Sequence, residues 1–104
     1  MRKRFIVTTD PTTIEQDRAF GEWFKSVHLV WWHYIDQTWL FIDRTGELTA
    51  KTIRDKTIEV FPGVNCLVIQ LDDDGEDTWA GFGPHSDKRN MFNWLNEKWS
   101  SDER

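Results

Sequence analysis

The sequence predicts one α+β domain whose strands and helices follow in the order β-α-β-β-α-β. Runs rich in β-branched and aromatic residues recur at 4–9, 29–35, 38–43 and 64–71. Helical spacing of apolar residues separates the first run from the second and the third from the fourth. A chain of 104 residues suits a single core, so residues 1–104 are read as one domain.

The first strand, 4–9, ends at Asp10-Pro11. Thr12-Thr13-Ile14-Glu15 then offers a capping box, with Thr12 as N-cap and Glu15 reaching back to it. Ile14, Phe20, Trp23, Phe24 and Val27 make the apolar stripe of a helix over about 13–26. Strands 29–35 and 38–43 flank Asp36-Gln37, the length of a two-residue hairpin turn. A second helix, about 49–60, carries Ala50, Ile53, Thr57 and Val60 and stops at Phe61-Pro62-Gly63. Strand 64–71 is the most apolar. A short fifth strand is expected at 78–83, and Ser86 is expected to cap a last helix running to about residue 100, with Phe92, Leu95 and Trp99 on one face and Met91 and Trp94 beside it. Right-handed crossovers place both main helices on one face of a four-stranded antiparallel sheet. This is the ferredoxin-like split β-α-β-β-α-β arrangement, with a short added strand and a C-terminal helix.

The hairpin carries the functional expectation. With Asp36-Gln37 as the turn, Tyr34 faces Trp39 and Trp32 faces Phe41. Alternation then sets Trp31, His33, Ile35, Leu40 and Ile42 on one face and Val30, Trp32, Tyr34, Trp39 and Phe41 on the other. Both faces are apolar, so each needs a cover. The second face can be covered by the C-terminal helix, a second subunit or stacked nucleobases. The third strand lacks the Gly-rich aromatic signature of base-stacking sheets. Seven Trp and seven Phe in so short a chain suit an interface as well as a core. The expected function is therefore a non-enzymatic protein-interaction module, a homodimer anchored by Trp32, Tyr34, Trp39 and Phe41.

Charge narrows the partners. The net charge is −5, and five of the 18 acidic residues fall together at Asp72, Asp73, Asp74, Glu76 and Asp77; the other 13 match the 13 Lys and Arg. A neutral body with one acidic loop lacks the basic footprint of a general nucleic-acid binder. The loop fails the EF-hand pattern, because Gly75 as sixth position puts Gln70 first and Gly81 twelfth, where carboxylates are required. It reads as a solvated hairpin tip or a docking loop for a basic partner, the latter suiting an inhibitor carried by a phage or mobile element. The lone Cys66 and the short apolar run after the basic first residues imply a reducing, cytoplasmic setting with no membrane partner.

Trp31-Trp32-His33-Tyr34-Ile35-Asp36-Gln37-Thr38-Trp39-Leu40-Phe41 resembles a hairpin of small bacterial and phage proteins described as SinR-like. Their wider superfamily includes the small CRISPR-associated adaptation endonucleases. The strand ending in Asp10, Ile53-Arg54-Asp55-Lys56, the strand 66–71, and Trp79-Ala80-Gly81-Phe82 leading to Trp94-Leu95 extend the likeness over most of the chain. The resemblance implies a ferredoxin-like, often dimeric fold. In its nuclease branch the acid ending the first strand, here Asp10, holds a metal once per subunit. That sets up an alternative: a nuclease with paired Asp10 carboxylates around Mg²⁺, with no cofactor expected otherwise. Against it, Pro11 follows directly and one carboxylate per subunit holds Mg²⁺ weakly, whereas an Asx turn or a cap for the first helix explains Asp10 structurally. His28, His33 and His85 show no metal-ligand spacing, and His33 reads as a hydrogen-bonded core histidine. No nucleophile elbow or phosphate loop is present in the sequence.

Overall fold

The computed structural model describes residues 2–71 and 85–99. Along these run β1 (Lys3–Thr9), α1 (Ile14–Ser26), β2 (Val30–Ile35), β3 (Thr38–Asp43), α2 (Ala50–Val60), β4 (Cys66–Leu71) and α3 (Met91–Trp94). Helix α3 continues as a π-helical turn over Leu95–Trp99. The strands form one antiparallel sheet in the order β2-β3-β1-β4, so the chain is α+β as expected. The expected fifth strand at 78–83 and the acidic residues Asp72, Asp73, Asp74, Glu76 and Asp77 lie outside the described residues.

Two helix starts differ from the sequence reading. Thr13, not Thr12, caps α1: its hydroxyl accepts from the Gln16 N–H at 3.1 Å, and the Gln16 side chain accepts from the Thr13 N–H at 2.9 Å. The Thr12 hydroxyl is committed elsewhere, donating to Asp17 at 2.6 Å. Likewise Asn90, not Ser86, caps α3, accepting from the N–H groups of Phe92 and Asn93. Ser86 closes the preceding turn with Arg89, beneath the His85–Asn90 bridge. At its far end α1 closes with Leu29 N–H on the Phe24 carbonyl and His28 N–H on that of Lys25. This motif needs a left-handed residue, and His28, with φ 58°, fills the place usually taken by glycine.

The sheet is covered on both faces, as the two-sided hairpin requires. On one face α1 and α2 bury Phe20, Phe24, Ile53 and Phe61 against Phe5, Val7, Trp39 and Phe41. Rings meet edge-on here, Phe20 and Phe61 at 5.0 Å and Phe24 and Phe41 at 4.6 Å between centroids. Each such side chain contributes about 1.5–3 kcal/mol by leaving water. On the other face Leu95 and Trp99 close over Trp32, Leu40 and Ile42. Arg2 and Arg4 of the first strand region hold that cover down. Arg2 donates to the carbonyls of Lys98 and Trp99 at 2.9 and 3.1 Å, and the Arg4 guanidinium lies 5.2 Å from the Trp99 ring. Cations at a helix C-terminus are favoured by its exposed carbonyls.

The hairpin register departs from expectation by one residue. Val30 pairs with Ile42, Trp31 with Phe41 and Trp32 with Leu40, yet Ile35 pairs with Thr38. A bulge therefore sets His33 and Tyr34 together against Trp39. A one-residue slip exchanges the faces of a strand. Trp31 and His33 consequently share the α1 face with Trp39 and Phe41, while Trp32 and Tyr34 join Leu40 and Ile42 on the other.

Candidate functional site

The bulge separates the four residues expected to form one contact surface. Trp39 is 1% exposed and Phe41 0%, both inside the core under α1 and α2. Trp32 is buried beneath the C-terminal helical segment, with Tyr34 packed beside it at 5.6 Å. Of the three covers considered for that face, the C-terminal helix is the one observed.

The large apolar side chains left exposed include a pair on the outer flank of α1 and β2. Ile14 is 69% exposed and Trp31 37%. At 100° per residue, Ile14 lies about 120° around the helix from Phe20, well outside the arc of Trp23, Phe24 and Val27. That arithmetic was available in the sequence and marks Ile14 as a residue that does not belong to the stripe. Asp17, Gly21, Lys25 and Arg18 fall on the same outward arc. With Ile14 and Trp31 they line a shallow groove of about 350 Å³. Its neighbour, a cleft of about 220 Å³ at the sheet end, shares Ile14 and Asp17 and adds Pro11, Thr12, Asp36 and Gln37. At the edge of the groove the Trp31 ring is seated on Phe24 at 5.3 Å. A β-carbon at Gly21 would meet nothing within 4 Å, so the groove is open above that residue.

His33 joins β2 to α1 through Asp17, which lines both hollows. Its ring lies flat on Trp39, 4.0 Å between centroids at 3°. Nδ1 is 3.0 Å from the Thr38 carbonyl, which can only accept, so Nδ1 carries the hydrogen. Nε2 faces the Asp17 carboxylate at 3.8 Å, and the other oxygen of that carboxylate accepts from Thr12. His33 is thus a hydrogen-bonded, half-buried histidine, as its place on an apolar strand implied. Asp17 and His33 are 16 residues apart, and no local pattern signals their meeting.

Asp10 is exposed and bonded across the sheet end. Its carboxylate accepts from the Asn65 amide at 2.8 Å and its N–H donates to the Asn65 carbonyl at 3.0 Å. It caps no helix; it ties the β1–α1 loop to the α2–β4 loop. Among the described residues no group of three or more His, Cys, Asp or Glu is placed to hold a metal. Burial pushes the Cys66 thiol up, with Arg54 opposing, which leaves little thiolate for reaction. Asp43 is a structural acid. Burial would raise its carboxyl, but hydrogen bonds from the Leu48 N–H, the Thr45 hydroxyl and N–H, and the Gly46 N–H outweigh that and hold it below the usual 3.8.

Among the described residues no helix is long and apolar enough to cross a membrane. Comparison of the chain with family models, curated proteins and solved structures finds no match.

Proposed function

We propose that this protein is a protein-interaction module of ferredoxin-like, split β-α-β-β-α-β architecture that binds through the α1–β2 flank. The observation that carries the reading is Trp31, a large aromatic seated on Phe24 yet more than a third exposed, beside the still more exposed Ile14. Tryptophan is among the residue types most enriched at the anchor positions of protein interfaces. The strand order β2-β3-β1-β4, with α1 and α2 on one face, supports the architectural part. The flank takes the place first assigned to Trp32, Tyr34, Trp39 and Phe41, all of which pack within the protein itself.

A photo-crosslinking phenylalanine analogue at position 31, with position 67 on the opposite sheet edge as control, tests the reading in cells. One discrete adduct from position 31, mapped by mass spectrometry and missing from position 67, is expected. Equal adducts from both positions, or none from position 31, would refute it.

A further inference from the structure

We infer that the partner of the α1–β2 flank is a basic segment of another protein, which seats an apolar side chain on Ile14 and Trp31 and places a Lys or Arg side chain in the sheet-end cleft between Asp17 and Asp36. The inference rests on the interaction-module reading and names the chemistry of its partner.

The two hollows of the flank differ in charge. In the groove the charges balance: Asp17 and Glu22 stand against Arg18 and Lys25, and Lys25 pairs with Glu22 at 3.8 Å. The groove therefore selects no charge, and the exposed Ile14 and Trp31 give it its apolar character. The cleft shares Ile14 and Asp17 with the groove, adds Asp36, and has no Lys or Arg in its lining. An occupant spanning both meets apolar side chains at one end and carboxylates at the other.

The imbalance extends over that whole end of the sheet. Register brings the β1–α1 loop, the Asp36-Gln37 turn and the α2–β4 loop together there, since Thr8 pairs with Thr38, Thr9 with Cys66, and Asp10 N–H donates to the Asn65 carbonyl. Residues 8–17, 33–39 and 61–67 hold Asp10, Glu15, Asp17 and Asp36 and not one Lys or Arg. Local structure accounts for three of these acids. Glu15 and Asp17 suit the first turn of α1, where the helix dipole favours them, and Asp10 is bonded to the Asn65 amide. Asp36 has no such account. It is exposed in its turn, and among the described residues no hydrogen bond or ion pair holds its carboxylate.

Carboxylates of one sign around a concave surface focus the field and draw in a cation. Two of them hold a bare divalent ion weakly. A Lys or Arg side chain brings its charge on an apolar stem, which can pack along Ile14 and Pro11 as the head reaches the acids. The net charge of −5 steers a basic partner toward the chain and sets two copies against each other.

Random linear peptides displayed on phage and panned against the full chain test the inference. The expected binders carry Lys or Arg beside a bulky apolar residue. Affinity for one synthesised binder, read by fluorescence anisotropy, is expected to fall at least about tenfold in Asp36→Lys, to fall less in Asp36→Asn, and to weaken as salt is raised. Ile14→Ser is expected to weaken it too, whereas Asp55→Asn, which removes the same charge from α2, is expected to leave it unchanged. Circular dichroism confirms that each variant is folded. Binders without basic residues, no binders at all, or binding indifferent to both Asp36 substitutions overturns the inference. So does a wild type that sediments as a dimer dispersed by Asp36→Lys, because the occupant is then a second copy. A discrete adduct from position 31 alongside any of these outcomes leaves the module reading standing. No adduct from position 31 removes that reading and this inference with it.

Discussion

Asp43 is the residue whose loss should reveal how the sheet is joined to α2. Its side chain is 4% exposed and accepts from the Thr45 N–H at 3.0 Å, the Thr45 hydroxyl at 2.7 Å and the Leu48 N–H at 2.8 Å. These bonds fold the loop that leads from β3 to Thr49, the cap of α2. Asp43→Ala leaves those donors without an acceptor at the protein interior. A buried donor left unsatisfied costs about 1–3 kcal/mol, and bonds to a charged acceptor are worth about 1.5–3 kcal/mol each. Allowing for water entering the loop, a loss of about 2–4 kcal/mol follows, a large share of the roughly 5–15 kcal/mol that holds a domain together. Asp43→Asn keeps one oxygen and should lose about half as much. The sign with pH is fixed by the lowered value. The charged form contributes fully above the unfolded carboxyl near 3.8, and the contribution disappears as pH falls through the lower folded value. Urea unfolding followed by tryptophan fluorescence, at neutral pH and near about pH 3, measures both effects. The wild type and Asp43→Asn should converge on acidification. An Asp43→Ala variant within about 0.5 kcal/mol of wild type at neutral pH would refute the reasoning, as would a gap that widens in acid.

Two other expectations concern residues whose roles the backbone decides. His28→Gly should raise stability by about 0.5–1 kcal/mol, because the left-handed conformation costs a side chain about 1–2 kcal/mol and glycine recovers most of it; an unchanged or lower unfolding midpoint would contradict this. Trp39→Ala should cost about 3–5 kcal/mol as a core truncation without altering sedimentation of the fraction that remains folded, whereas a stable variant with altered assembly would return Trp39 to an interface.

The elements that the sequence announces are those whose signals are local. Strand β3 falls at Thr38–Asp43, where aromatic, β-branched and leucine side chains run unbroken to an acid. Helix α2 stops where Pro62 and Gly63 demand it, with Gly63 at φ 77°. What strict alternation could not supply is the bulge. Nothing in Trp32-His33-Tyr34-Ile35 distinguishes a regular strand from one carrying an extra residue, and that residue reassigns every side chain before it. The contact surface expected at Trp32, Tyr34, Trp39 and Phe41 was built on the regular register and divides when the register shifts. Trp31 and Ile14 were overlooked for related reasons: one was placed on the wrong face of the hairpin, the other on the wrong arc of the helix. The caps erred where two candidates competed, Thr12 with Thr13 and Ser86 with Asn90. Which hydroxyl or amide is spent on another partner is settled by tertiary contacts.

The cover over the second sheet face has a consequence for synthesis. Trp32, Leu40 and Ile42 leave the ribosome well before Leu95 and Trp99, which shield them. Throughout that interval a nascent chain can complete the sheet and its α1–α2 layer while one broad greasy surface stays wet. Chaperone engagement should therefore be greatest on stalled chains that end between β4 and α3, and should fall once Trp99 has emerged to be clasped by Arg2 and Arg4.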